Sequence, residues 1–193
     1  MWEQILPGLR IKLLMTLVLG VVYPLAITGI SQVIFPGQSN GSLITAGGKV
    51  IGSELIGQNF TKPEYFHPRP SNAGANGYDP TASGGYNQGP TNQKLIDRVK
   101  SAVEQFRKEN PDYQGPIPAD LLTGSASGLD PHISPDSARA QSARVARARG
   151  VTLDEVNKLI TTITEGPDLG LLGEPRVNVL KLNLAMDRQF PRR

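Results

Sequence analysis

With 193 residues, 20 Lys+Arg against 17 Asp+Glu and a net charge of +3, the chain is long enough for one globular domain and a small addition. Its mild, scattered basicity excludes a nucleic-acid binder built on a concentrated cationic stripe. The absence of cysteine and the presence of only two histidines, His67 and His132, exclude disulfides, thiolate metal sites, cysteine nucleophiles and a His-rich zinc centre. Sixteen Pro and 21 Gly point to long ordered loops rather than a helical bundle.

The first element in chain order is a membrane span. Leu13 to Phe35 carries no charge over 23 residues, and at 1.5 Å per residue such a helix reaches about 35 Å, enough for a hydrocarbon core of roughly 30 Å. Trp2 reads as an interfacial aromatic. Arg10 and Lys12 precede the span, so residues 1–12 are expected to stay in the cytoplasm and residues 36–193 to form an extracytoplasmic (periplasmic) domain. A cleaved signal peptide is the competing reading. Against it, the run is too long, and Val33-Ile34-Phe35 continue past the only small-x-small site, Gly29-Ile30-Ser31. Thr16, Gly20, Pro24, Thr28 and Gln32 are spaced by four and form one helical stripe of small and polar residues. Such a stripe suits close packing against another helix.

Beyond the span the pattern is mixed α+β. Ser42-Leu43-Ile44 and Lys49 to Ser53 flank Gly47-Gly48 as a short hairpin. Residues 61–92 contain no Leu, Ile, Val or Met but five Pro, five Gly and four Asn. Tyr65, Phe66, His67, Tyr78 and Tyr86 give this stretch the means to pin turns to a core, and mark it as a candidate partner-facing loop. Gly84-Gly85 is an ordinary turn by default, with a backbone nest for an anion as a weaker reading. From Thr91 a helix carries Leu95, Ile96, Val99, Ala102, Val103 and Phe106 at helical spacing and ends before Asn110-Pro111.

Asp130-Pro131-His132 lies just before a second helix. An Asp and a His with nearby serines invite a hydrolase reading, but no G-x-S-x-G elbow exists. Asp130, His132 and Ser134 are therefore read as a structural turn and cap, Ser134 being the N-cap ahead of Pro135. That helix runs to Gly150 as its C-terminal stop. Its Arg139, Arg144, Arg147 and Arg149 are read as a solvated basic face in preference to a partner contact. A third helix opens with the capping box Thr152-x-x-Glu155 and buries Val156, Leu159, Ile160 and Ile163. Val177 to Met186 alternates Leu180, Leu182, Leu184 and Met186 with more polar residues, a strand signal with a helix as its competitor.

Three segments resemble a known family: GSELIGQNFTKPEYFHPRPSNAGANGYDPTASGGYNQGPTN (52–92), SGLDPHISPDSARAQSARVARARGV (127–151) and LLGEPRVNVLKLNLAMD (171–187). The family is KdpC, the C chain of the bacterial Kdp potassium-transporting ATPase, and the resemblance covers nearly the whole chain. Tyr86 stands where the family pattern has Ser after the double Gly, and Gly124 and Ala126 alter the order of small residues before GLDPHIS. The resemblance implies an inner-membrane complex with a potassium-translocating subunit (KdpA), a P-type ATPase subunit (KdpB) and the small KdpF subunit. It further implies that this chain is a non-catalytic assembly factor and catalytic chaperone, raising the pump's affinity for ATP. ATP and K+ would be handled by the complex, with no cofactor or metal assigned to this chain. The alternative is a membrane-anchored extracytoplasmic enzyme or binding protein that acts without partners.

A reporter enzyme fused after Arg193 is expected to be active only on the outer side of the membrane. Activity confined to the cytoplasm reverses the orientation.

Overall fold

The computed structural model describes residues 2–191. The Trp2 side chain, read above as interfacial, lies outside the described residues. The chain forms two compact units, Met1–Val50 and Ile51–Arg193.

In the first unit α1 (Trp2–Leu17), a π-helical turn (Val18–Val22) and α2 (Tyr23–Ile34) follow one another as a single apolar helix, Glu3–Ile34, long enough to cross a membrane. The π turn has a local cause. The ring of Pro24 crowds the carbonyl four residues earlier, at Gly20, and Pro24 has no N–H to offer it. Widening the helix there lets the Tyr23 N–H reach the carbonyl of Val18 instead. A short α3 (Pro36–Ser39) precedes the strands β1 (Leu43–Ala46) and β2 (Lys49–Ser53), which pair as a two-stranded sheet. Gly47 and Gly48 between them sit at φ +56° and +77°. Two successive positive φ values make the primed turn whose twist suits a two-residue hairpin.

The second unit is helical around a small antiparallel pair. It contains α4 (Gln93–Glu109), a 3-10 turn (Ala119–Leu121), β3 (His132–Ile133), α5 (Pro135–Arg149), α6 (Leu153–Ile163), β4 (Val177–Asn178) and α7 (Val179–Gln189). β3 pairs with β4 in the register His132↔Asn178 and Ile133↔Val177. The main core gathers Phe66, Ile133, Val145, Val156, Ile160, Leu182 and Met186 among others, and a smaller cluster joins Phe106, Leu121 and Ala140. The mixed α+β class stands as expected. The caps also stand: the Ser134 side chain accepts from the Ser137 N–H, Gly150 closes α5 at φ +67°, and the reciprocal Thr152–Glu155 box opens α6.

Two expectations change. Ile163 is only half-buried, while Val156, Leu159 and Ile160 are buried. Val177 to Met186 is not a strand beyond its first two residues. Asn178 caps a helix, accepting from the Lys181 N–H, and Val179, Leu182, Asn183 and Met186 are buried at helical spacing. The alternation misled because Asn183, a polar residue, occupies a core position.

This difference is measurable. A strand places Leu182 and Leu184 on the same face, whereas the helix buries Leu182 and half-exposes Leu184. Leu182→Ala is expected to cost about 2–5 kcal/mol in chemical unfolding, and Leu184→Ala distinctly less.

Candidate functional site

The aromatic loop begins at Thr61 and has no Leu, Ile, Val or Met with which to anchor itself. α5 and α7 hold it instead. Asn183 on α7 accepts from the Phe66 N–H at 2.8 Å and donates to the Phe66 carbonyl at 3.0 Å. Gln141 on α5 does the same for the next residue, accepting from the His67 N–H at 2.8 Å and donating to its carbonyl at 3.1 Å. Each amide stands in for a neighbouring strand. Arg144 on α5, 4% exposed, donates to the carbonyls of Pro63 (2.6 Å) and Tyr65 (2.9 Å), to Asn110 Oδ1 (3.0 Å) and to Gln141 Oε1 (2.7 Å). Burial pushes its pKa down to about 10, opposed by the nearby Glu109 carboxylate, so it stays charged at neutral pH. Arg149 donates to the carbonyls of Glu64 and Phe190, pairs with Asp187 at 2.9 Å and lies against the Tyr65 ring.

The solvated basic face therefore needs correcting. Arg139 and Arg147 are exposed and pair with Asp136 and Asp112, but Arg144 and Arg149 are buried and fasten the loop. The sequence signal was available in the Pro-rich stretch, whose unpaired carbonyls need donors from elsewhere.

The five loop aromatics turn inward to different degrees. Phe66 is fully buried and is a core residue, not a surface for a partner. Tyr65, His67, Tyr78 and Tyr86 are half-buried. The Tyr65 hydroxyl donates to Asp187 Oδ2 at 3.0 Å, and Tyr78, at φ +59°, donates to the Arg69 carbonyl at 2.7 Å. Burial and the neighbouring Asp130 carboxylate push the Tyr78 phenol well above its ordinary pKa. Tyr86 donates to the Ser71 carbonyl at 3.1 Å, and the Arg98 guanidinium stacks 3.5 Å from its ring centre. A Cβ at Gly124 would lie 2.7 Å from that same ring. Tyr86 and Gly124 thus face each other.

His67 Nδ1 lies 3.2 Å from Glu109 Oε2 and Nε2 lies 3.1 Å from the Lys62 carbonyl. The His67 contact holds the Glu109 carboxyl below its ordinary pKa, despite partial burial. These groups border an open cleft of about 640 Å³ between residues 59–78 and α4, whose wall includes Arg69, Tyr78, Gln105 and Phe106.

Around α5 the turn and cap are as expected. Asp130 Oδ1 accepts from the His132 N–H at 2.9 Å and Oδ2 accepts from Arg69 at 2.9 Å. Asp120, unnoticed in the sequence, accepts from the Ser134 N–H (2.7 Å), the Ser134 hydroxyl (3.2 Å) and the Ser137 hydroxyl (2.6 Å). Ser134 thus points to a carboxylate and a cap, not to His132. Gly84 and Gly85 form no nest: the Gly84 N–H donates to the Ser127 carbonyl, and a Cβ at Gly85 would meet Ala126 O at 2.8 Å. Among the described residues no three His, Asp or Glu side chains are placed to hold a metal ion.

On the apolar helix, Thr28 and Gln32 of the stripe find partners within the chain. The Thr28 hydroxyl donates to the Pro24 carbonyl at 2.8 Å. Gln32 exchanges amide hydrogen bonds with Asn40, at 3.1 and 3.4 Å. An added Cβ at Gly20 would touch only Thr16, at 3.9 Å.

A family described as KdpC, K+-transporting ATPase c chain, matches residues 5–188. The chain belongs to that family. It is 56% identical over 191 residues to the potassium-transporting ATPase KdpC subunit of Myxococcus xanthus, covering 98% of this chain and 90% of that one. The subunits of the same name from Rhodospirillum rubrum (54%, covering 99% and 98%) and Caulobacter vibrioides (55%, covering 99% and 96%) are similar to it over almost their full lengths. The accessory-subunit expectation stands in that form: this is a KdpC-type subunit of a potassium-transporting ATPase complex.

Arg144→Ala leaves the Pro63 and Tyr65 carbonyls without their donor. It is expected to cost on the order of 3 kcal/mol and to raise hydrogen exchange across residues 63–67, while Arg139→Ala leaves both unchanged. The lowered Glu109 pKa implies a contribution to stability that is present above the ordinary carboxylate pKa and lost as pH falls through the folded value. Melting temperature measured against pH should accordingly fall less steeply on the acid side for Glu109→Gln.

Proposed function

We propose that the chain is a non-catalytic accessory subunit needed to assemble an ATP-driven potassium uptake pump in the inner membrane. The N-terminus is cytoplasmic and residues 36–193 lie outside. Its companions are a potassium-translocating chain (KdpA), a P-type ATPase chain (KdpB) and the small KdpF chain. The carrying observation is a family match over residues 5–188, which takes in the apolar helix and the loop-rich unit together. The orientation rests on Arg10 and Lys12 ahead of the span.

The span offers few oxygens to an ion. The Thr28 hydroxyl is used by its own backbone and Gln32 by Asn40, whereas a dehydrated potassium ion requires a ring of carbonyls. The ion path belongs to another chain on this reading, and the span docks by shape along Gly20. ATP is cytoplasmic, so a catalytic-chaperone effect on the pump's ATP affinity acts through assembly rather than through nucleotide held by residues 36–193. The surface of the loop at 61–92 is the part proposed to lie over the potassium-translocating chain.

Gly20→Leu is expected to reduce co-purification of the companion chains at least several-fold, and Leu19→Ala to leave it near wild type. Equal recovery from both variants removes the stripe from the interface. Replacing Thr16, Thr28, Ser31 and Gln32 together by apolar residues should leave the potassium-over-sodium preference of assembled pumps unchanged. A shifted preference would place the span in the ion path.

A further inference from the structure

Between α6 and β4 the chain leaves the core as a narrow hairpin. Glu165 and Arg176 exchange both backbone hydrogen bonds at 2.9 Å, and Asp168 and Leu172 close the tip at 2.8 and 2.9 Å. Arg176 pairs with Glu165 and Asp168, each at 3.3 Å, while Lys181 on α7 pairs with Glu165 and Glu54. The base is thus fastened from several directions. The tip carries three leucines in water: Leu169 is 91% exposed, Leu171 88% and Leu172 62%.

Apolar side chains of this size on a preformed projection favour burial against something else. The backbone adds a second sign, because Leu169 stands at φ +55°, a left-handed conformation that is costly for any residue with a Cβ. Glycine there would relieve the strain but remove the leucine. Strain of this kind persists where function requires the side chain. Charge then selects the occupant. Glu165, Asp168 and Glu174 on the hairpin, with Glu54 beside its base, outnumber the two cations Arg176 and Lys181, which pair with Glu54, Glu165 and Asp168. An acidic collar is repelled by an anionic lipid surface and suits a rim of neutral or basic side chains.

We propose that this tip is a plug that seats in an apolar socket, with a neutral or basic rim, on a companion subunit of the pump. The inference rests on the accessory-subunit reading above. A rigid plug loses little conformational entropy on docking, which favours a preformed protein socket.

The chain has no cysteine, so Leu171→Cys labelled with a benzophenone maleimide places one photo-crosslinker at the tip of the full-length chain. Irradiation of the assembled complex in its membrane is expected to give a covalent adduct with one companion subunit, identified by its mass. In parallel, replacing Leu169, Leu171 and Leu172 by Ser should lower recovery of the complex at least tenfold with no loss in the melting temperature of the full-length chain in detergent. An adduct with lipid alone, with a second copy of this chain, or with nothing, in a complex that still co-purifies, overturns the plug and leaves the accessory role standing. If the unmodified chain brings down no companion subunit, the accessory role falls as well. A triple variant that fails to fold leaves the crosslink to decide.

Discussion

A 32-residue stretch with no Leu, Ile, Val or Met has little apolar burial of its own beyond Phe66 and Ala73, and in this protein its backbone supplies much of the hold. The guanidinium of Arg144 and the amides of Gln141 and Asn183 supply the partners that the loop's N–H and C=O groups would otherwise find in water. Each such bond is worth only about 1 kcal/mol net, but leaving a buried group without its partner costs more. The network therefore acts less as an addition to stability than as a condition for the loop to be ordered. Phe66 fills the core because the residues on either side of it are fixed, and the cleft opens between residues 59–78 and α4 with His67 and Glu109 meeting at its wall.

The helices were legible in the sequence wherever their ends carried chemistry. Ser134, Pro135 and Gly150 bounded α5, and Thr152 with Glu155 opened α6. The hairpin followed from two adjacent glycines. What escaped was the interior polar residue. Arg144 and Arg149 read as solvated, and Gln141 and Asn183 carried no signal of their role, because their backbone partners outside their own helices lie 41 to 117 positions away, a separation at which local periodicity carries no information. The same cause turned α7 into an apparent strand. Asp120, which supports the Ser134 cap, was silent for a similar reason, being 14 residues from its partner.

The span shows how one residue reorganises a pattern. Residues spaced by four drift around an α-helix, since a turn takes 3.6 residues. The wider turn at Val18–Val22 runs the drift backwards over that stretch, keeping Thr16, Gly20 and Pro24 more nearly in line than a regular helix would. Thr28 and Gln32 bond within their own chain, so shape is the larger part of what the stripe has to offer a neighbouring helix.

The space a side chain at Gly124 would need is taken from two sides, by the Tyr86 ring and by the Pro70 carbonyl oxygen. A Cβ at 124 would meet the ring at 2.7 Å and the carbonyl at 2.9 Å, so a smaller residue at 86 would relieve only one of the two collisions. A hybrid chain with any larger residue at 124 meets the Pro70 carbonyl whatever stands at 86, so the segment around 124 and the loop at 61–92 are constrained as one unit.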